Sequence, residues 1–89
     1  IVVVTGRDGI CYAETSQWLK DNDIYFDALF IRPQNDMRKD YVIKREIYEQ
    51  FIEPDYNVVG VFDDRKQVKR MWVEIGVYVF DCNQTDEEF

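Results

Sequence analysis

Histidine is absent from the 89-residue sequence. That excludes His-based catalytic triads and most zinc sites, which need imidazole as base or ligand. Cysteine is scarce. Cys11 and Cys82 stand far apart and match no metal-ligand spacing, so they read as reduced thiols of a cytoplasmic protein. No apolar run is long enough to span a bilayer, and the opening residues lack the basic stretch of a signal peptide. No membrane partner is expected. Positive charge is in deficit: 11 Lys and Arg against 18 Asp and Glu leave a formal charge of −7. This argues against nucleic-acid binding through a broad basic face, but it leaves room for a local basic pocket. There are no repeats, linkers or low-complexity tracts.

What is present is a regular alternation. Residues 1–4 form a continuous β-branched run of the kind found in strands buried on both faces. Thr5-Gly6-Arg7 then turns the chain, and Asp8-Gly9 reads as turn or cap. A weakly periodic helix is expected over about 12–20, with Trp18 and Leu19 in the core, stopped by Asp21-Asn22-Asp23. Residues 28–31 form a second strand with Arg32 at its carboxyl end. After a polar loop, Ile43, Ile47 and Phe51 recur at i+4, with Tyr48 and Ile52 widening the stripe of a second helix that Pro54 closes. Residues 58–62 read as a third, buried strand, and 65–74 as a third helix ended by Gly76. A fourth strand is expected at 77–80, then an acidic tail at 84–88 with Phe89 as an anchor. Strands alternating with helices imply βαβ crossovers: an α/β fold, a parallel Rossmann-like sheet with helices on both faces. The length allows one small domain.

The third strand ends in two adjacent carboxylates, Asp63 and Asp64, and a helical pattern starts at once, with Val68, Met71, Trp72 and Ile75 at i, i+3, i+4 and i+7. In open α/β sheets ligands bind beyond the carboxyl ends of the strands. Two acids there suit a hard cation such as Mg²⁺, held by one or two carboxylates plus phosphate oxygens. Taken alone, the pair also admits Asp64 as a helix cap and Asp63 as a solvated acid. The other strand ends are polar too: Thr5 and Arg7 after the first, Arg32 after the second. The second helix adds Lys44 one turn beyond Asp40. Each has a plain structural reading, as turn, loop charge or exposed i,i+4 pair. Together on one edge they suit a phosphate, neutralised by cations and N–H groups with carboxylates behind.

The ordered set carries a resemblance. Val-Val-Val-Thr-Gly-Arg, Arg38-Lys39-Asp40 with Lys44, and Phe-Asp-Asp-Arg are similar to the second, third and fourth motifs of the haloacid-dehalogenase phosphohydrolases. With Arg32, the run 38–47, Asp63-Asp64-Arg65-Lys66-Gln67-Val68, Met71-Trp72 and Ile75-Gly76-Val77, the chain resembles the 3′-phosphatase domain of phage polynucleotide kinase/3′-phosphatases. The resemblance implies Mg²⁺ as cofactor and a nucleic-acid 3′-phosphate end as substrate, with phosphoryl transfer to an aspartate followed by hydrolysis. It implies that Thr5 binds the transferred phosphoryl group, that Lys44 balances its charge, and that Asp63 and Asp64 hold the metal. Arg7, Arg32, Arg38 and Asp40 are then pocket residues.

One part of the pattern is missing. The superfamily nucleophile opens an Asp-x-Asp-Gly-Thr motif, and no such motif occurs here; Asp21-Asn22-Asp23 ends a helix and is followed by Ile-Tyr. Residues 1–89 are therefore expected to be the C-terminal part of a single phosphatase domain, inactive alone and lacking the strand that bears the nucleophile. No P-loop kinase motif occurs either. Without the central strand, the flanking strands are expected to pair directly or to self-associate through sheet edges. A phosphatase for a small phosphoester and a catalytically dead binding module are the alternatives. Trial substrates separate the first, and an upstream Asp-x-Asp-Gly-Thr segment would argue against the second.

Overall fold

The computed structural model describes residues 1–82, and the acidic tail and Phe89 lie outside the described residues. The chain forms two compact units, Ile1–Lys39 and a second that begins at Asp40.

The first unit is a strand–helix–strand. Strand β1, Val2–Asp8, leads through a single 3₁₀ turn, Gly9–Cys11, into helix α1, Tyr12–Asp21, and returns as strand β2, Ala28–Arg32. β1 and β2 pair in parallel, as the alternation predicted. The segment Thr5-Gly6-Arg7 differs from expectation, because it does not turn the chain. Thr5 is opposite Ile31 and Asp8 opposite Arg32, so Gly6 and Arg7 bulge out of an otherwise continuous ladder. The turn comes at Asp8, whose carboxylate accepts from the Ile10 amide at 2.9 Å and caps the 3₁₀ turn. On α1 the buried stripe is Thr15 and Leu19, one turn apart. Trp18, expected in the core, lies off that stripe and is 57 % exposed. Residues 2–4 are half-buried rather than covered on both faces.

The second unit begins with helix α2, Asp40–Ile47, which widens into a π-helical turn, Tyr48–Ile52. A π turn spaces residues by i+5, so Ile52 takes the buried place after Ile47 while Phe51 faces solvent. The i+4 periodicity from Ile43 fails at this turn. Strand β3 is shorter than the apolar run, Val61–Asp63, and pairs in parallel with β4, Val79–Asp81. Helix α3, Lys66–Glu74, joins them and packs on both strands. Val68, Met71, Trp72 and Val77 form the core, with Tyr41, Tyr48, Val58, Val61, Ile75 and Val79 against it. Tyr48 meets Trp72 edge-on, ring centroids 5.6 Å apart. The 58–62 run was expected to be buried throughout. None of its residues is fully buried: Val58 and Val61 are half-buried against the α3 core, and Phe62 stacks on Phe80 with both rings exposed. Gly76 adopts φ 87° just after α3, and its amide closes on the Val73 carbonyl at 3.0 Å, the left-handed cap that glycine takes without strain.

Candidate active site

In the second unit, α2 and the end of β3 bring three of the expected residues together. Asp40 starts α2, where the helix dipole favours an acid. Lys44, one turn on, places its ammonium 3.1 Å from Asp40 Oδ2 and 3.7 Å from Asp63 Oδ2. All three side chains are largely withdrawn from solvent, Lys44 at 13 %, Asp40 at 12 % and Asp63 at 10 % exposure. The Arg65 guanidinium adds a second cation, 3.4 Å from Asp40 Oδ2. Two acids and two cations thus alternate as Asp63–Lys44–Asp40–Arg65. Such a chain compensates the three withdrawn charges where water screens them weakly, with the Arg65 end open to solvent.

The Asp63 carboxylate is fixed from all sides. Its Oδ1 accepts from the amides of Asp64 at 2.9 Å and Arg65 at 3.3 Å, and its Oδ2 accepts from the Trp72 indole at 3.2 Å. Asp63 is therefore not a solvated loop acid. Asp64 is not a helix cap either: Arg65 holds the N-cap position, and no side chain caps α3. The Asp64 carboxylate is exposed, and no side-chain partner for it is found among the described residues.

Oxygen donors from two successive residues, one anchored and one exposed, form a hard-ligand set with neither imidazole nor thiolate. Among the described residues no group of three or more Asp, Glu, His or Cys is placed to share one cation. A metal held here would complete its shell with water and substrate oxygens, which is the habit of Mg²⁺. The donor chemistry fits that ion.

The first unit carries the other expected residues. Thr5 Oγ1 accepts from the Arg7 amide at 3.2 Å across the bulge. The Arg7 guanidinium donates through Nη1 to Thr15 Oγ1 at 3.0 Å. Arg38 grips Asp36 through Nε and Nη2, with Nη2 2.6 Å from Oδ2. That contact, with the Arg38 amide, pulls the Asp36 carboxyl down to about 2. The amides of Ile10 and Asn35 likewise hold the Asp8 carboxyl below its ordinary value. Arg32 directs its guanidinium to main-chain carbonyls.

Sequence reasoning missed three residues as contributors. Trp72 looked like core alone, although an N–H on an apolar stripe calls for a buried acceptor. Arg65 had a signal too, a cation directly after two acids. Thr15 had none, since its partner lies on another element.

Comparisons with known proteins show the family and the fold. Residues 1–87 match the family described as the polynucleotide kinase PNKP phosphatase domain. A candidate bifunctional polynucleotide kinase/RNA ligase of Autographa californica nuclear polyhedrosis virus is 41 % identical over 81 residues, which is 86 % of this chain and 11 % of that protein. A chain in the structure of the Pnkp1/Rnl/Hen1 RNA repair complex superposes with a TM-score of 0.90 at 34 % identity, over 97 % of this chain and 28 % of that one. A second structure of the Pnkp1/Rnl/Hen1 complex gives a TM-score of 0.91 at 34 % identity, over 97 % and 30 %. The chain thus spans less than a third of each of these relatives. With a match along almost all of its length and a haloacid-dehalogenase-like α/β fold, the chain belongs to the family of polynucleotide kinase PNKP phosphatase domains.

Proposed function

We propose that these residues are the C-terminal part of a single haloacid-dehalogenase-type phosphatase domain, and that the complete domain removes the 3′-phosphate from polynucleotide ends. The observation that carries this reading is the Lys44 ammonium shared by Asp40 and Asp63 at the carboxyl end of β3. A cation held by two acids is positioned by them, and it can turn part of its charge toward a phosphoryl oxygen without leaving either acid unpaired. Family membership and the ordered motifs support the same reading. The names of the relatives, with RNA ligase and RNA repair in them, favour RNA ends.

In this chemistry a carboxylate oxygen attacks phosphorus as the bond to the 3′ oxygen breaks. The nucleic acid leaves with a 3′-hydroxyl after taking up a proton. Water then attacks the acyl phosphate, restoring the carboxylate and releasing inorganic phosphate. No Asp-x-Asp-Gly-Thr occurs among these residues, so the nucleophile is assigned to a part of the domain outside them. Within them, Thr5 would donate its hydroxyl to the phosphoryl group, while Arg7 and Arg38 would neutralise phosphate charge. Asp40 would hold Lys44 in place. Asp63 and Asp64 would hold Mg²⁺, which when bound supplies positive charge to the phosphoryl oxygens.

The test is phosphate release from a 3′-phosphorylated oligonucleotide by the complete protein, with and without Mg²⁺, beside a small aryl phosphate. Mg²⁺-dependent release with preference for the oligonucleotide is expected, and residues 1–89 alone should give none. Release from the aryl phosphate but not from any oligonucleotide would replace the polynucleotide substrate with a small phosphoester.

A further inference from the structure

Arg32 closes β2, where a phosphate ligand was expected. Three of its hydrogen bonds go to the main chain. Nε donates to the Gly6 carbonyl at 2.7 Å and Nη1 to the Asp36 carbonyl at 2.9 Å, while Nη1 also reaches the Arg38 carbonyl. None of these three carbonyls lies in the ladder register: Gly6 is in the bulge that the β1–β2 pairing skips, and Asp36 and Arg38 are in the connection after β2. A carbonyl drawn away from water without a donor is destabilising. A guanidinium offers several donors in one rigid plane, so a single side chain can satisfy all three.

The same connection is tied to the end of β1 at two further points. Asp8 Oδ2 accepts from the Asn35 amide at 2.8 Å. Gly9 lies so close that a Cβ there would sit 2.9 Å from the Arg32 carbonyl and 3.1 Å from the Gln34 amide nitrogen. The tied pieces carry two cations assigned to phosphate. Arg7 directly follows Gly6, and Arg38 is itself one of the carbonyl acceptors. The two guanidiniums then rest on Thr15 and Asp36 respectively.

We propose that Arg32 is a positioning residue: it staples the Gly6 bulge to the 33–38 connection, fixes where Arg7 and Arg38 stand, and acts on substrate only through them. The substrate part of this statement rests on the phosphatase reading above; the staple itself does not. A direct phosphate ligand needs charge, which lysine retains. A staple needs several donors in one plane, which a compact ammonium cannot supply.

The first measurement uses the wild-type complete protein and the NMR signals of its arginine side chains. The Arg32 Nε–H should exchange slowly and stay unmoved on addition of inorganic phosphate or a 3′-phosphorylated oligonucleotide, while that of Arg7 shifts. The second uses Arg32→Lys. Its kcat should fall by a similar factor, roughly tenfold or more, on oligonucleotide and aryl phosphate alike. Amide exchange at Arg7, Asp36 and Arg38 should quicken by roughly as much, with protection kept at Val3 and Val4 as the sign of an intact β1–β2 ladder. A phosphate-induced shift of Arg32 Nε–H overturns the proposal. So does a lysine variant with native exchange, whether fully active or impaired only in KM for oligonucleotide. If Arg32→Lys does not fold, the wild-type side-chain signals decide alone. If the wild-type protein turns over no phosphoester, the phosphatase reading fails, and the exchange data still decide the staple.

Discussion

The Trp72 indole donates to Asp63 Oδ2 at 3.2 Å, so one residue both fills the core beside Val68 and aims an acid of the candidate metal site. Trp72 is 3 % exposed, and replacing it with phenylalanine keeps a ring while removing the donor. Trp72→Phe should cost about 2–4 kcal/mol, from a hydrogen bond to a charged group plus a small cavity. Urea unfolding would measure it. The variant should also need more Mg²⁺ for half-maximal activity, because Asp63 loses one of its fixings. The NMR signal of the Trp72 indole N–H should respond to Mg²⁺ directly, giving a readout independent of turnover.

Lys44 compensates two acids at once. Lys44→Ala leaves Asp40 with Arg65, and Asp63 with only N–H partners. Breaking a buried pair by deleting one partner costs about 3–5 kcal/mol, a large share of the about 5–15 kcal/mol that holds a domain folded. Thermal unfolding should show the loss, and phosphate release should fall for every substrate. Native turnover by a folded Lys44→Ala protein would remove Lys44 from the phosphoryl site.

Periodicity made the order of elements legible, and the polar strand ends pointed to the chemistry. The parallel pairing of β1 with β2 and of β3 with β4 followed from strands alternating with helices. What escaped was set by backbone geometry that the one-dimensional pattern does not carry. The π turn shifts the buried place from Phe51 to Ile52, and an i+4 count cannot show that. The bulge keeps Thr5-Gly6-Arg7 inside a strand, where a Thr-Gly dipeptide reads as a turn. A continuous apolar run says nothing about which face is covered, so Phe62 looked buried and is 73 % exposed. In the site, the acids and Lys44 were legible as charges at strand and helix ends. The pairings themselves were not legible: an indole on an apolar stripe calls for an acceptor without naming Asp63, and nothing in the spacing ties Arg32 to the Gly6 carbonyl, 26 positions back.

The connection after β2 should respond to acid before the rest of its unit. The Arg38 guanidinium holds the Asp36 carboxyl down to about 2, and the amides of Ile10 and Asn35 hold Asp8 low as well. Both groups have folded values below their unfolded ones. Their contribution is therefore fully present above the ordinary carboxylate value of about 3.9 and is lost as pH falls through the folded values. Amide signals of Asn35 and Arg38 should shift between about pH 4 and pH 2, ahead of those of Val3 and Val4. In Asp36→Asn the Arg38 signal should lose that dependence. An Arg38 amide that titrates unchanged in Asp36→Asn would show that another group governs the connection.

Adjacent in sequence and similar in chemistry, Asp63 and Asp64 occupy opposite environments, and that separates structural from metal-binding loss. Asp63 is seated among two amides, an indole and the Lys44 ammonium. Asp63→Asn removes the charge facing Lys44 and weakens every one of those bonds, so both stability and Mg²⁺-dependent phosphate release should fall. The stability loss should be about 1.5–3 kcal/mol, as for hydrogen bonds to a charged group. Asp64 joins that network only through its main-chain amide, and its side chain is exposed. Asp64→Asn should leave stability within about 0.5 kcal/mol of the parent, as surface changes do, yet should abolish or severely weaken release if its carboxylate serves the metal. Unfolding midpoints measured beside phosphate release in the complete protein give the comparison. Loss of activity in Asp64→Asn at unchanged stability would assign Asp64 to the ion without recourse to folding. Near-normal release by both variants would leave Asp63 as a structural anchor for the start of α3, and Asp64 as a solvated acid.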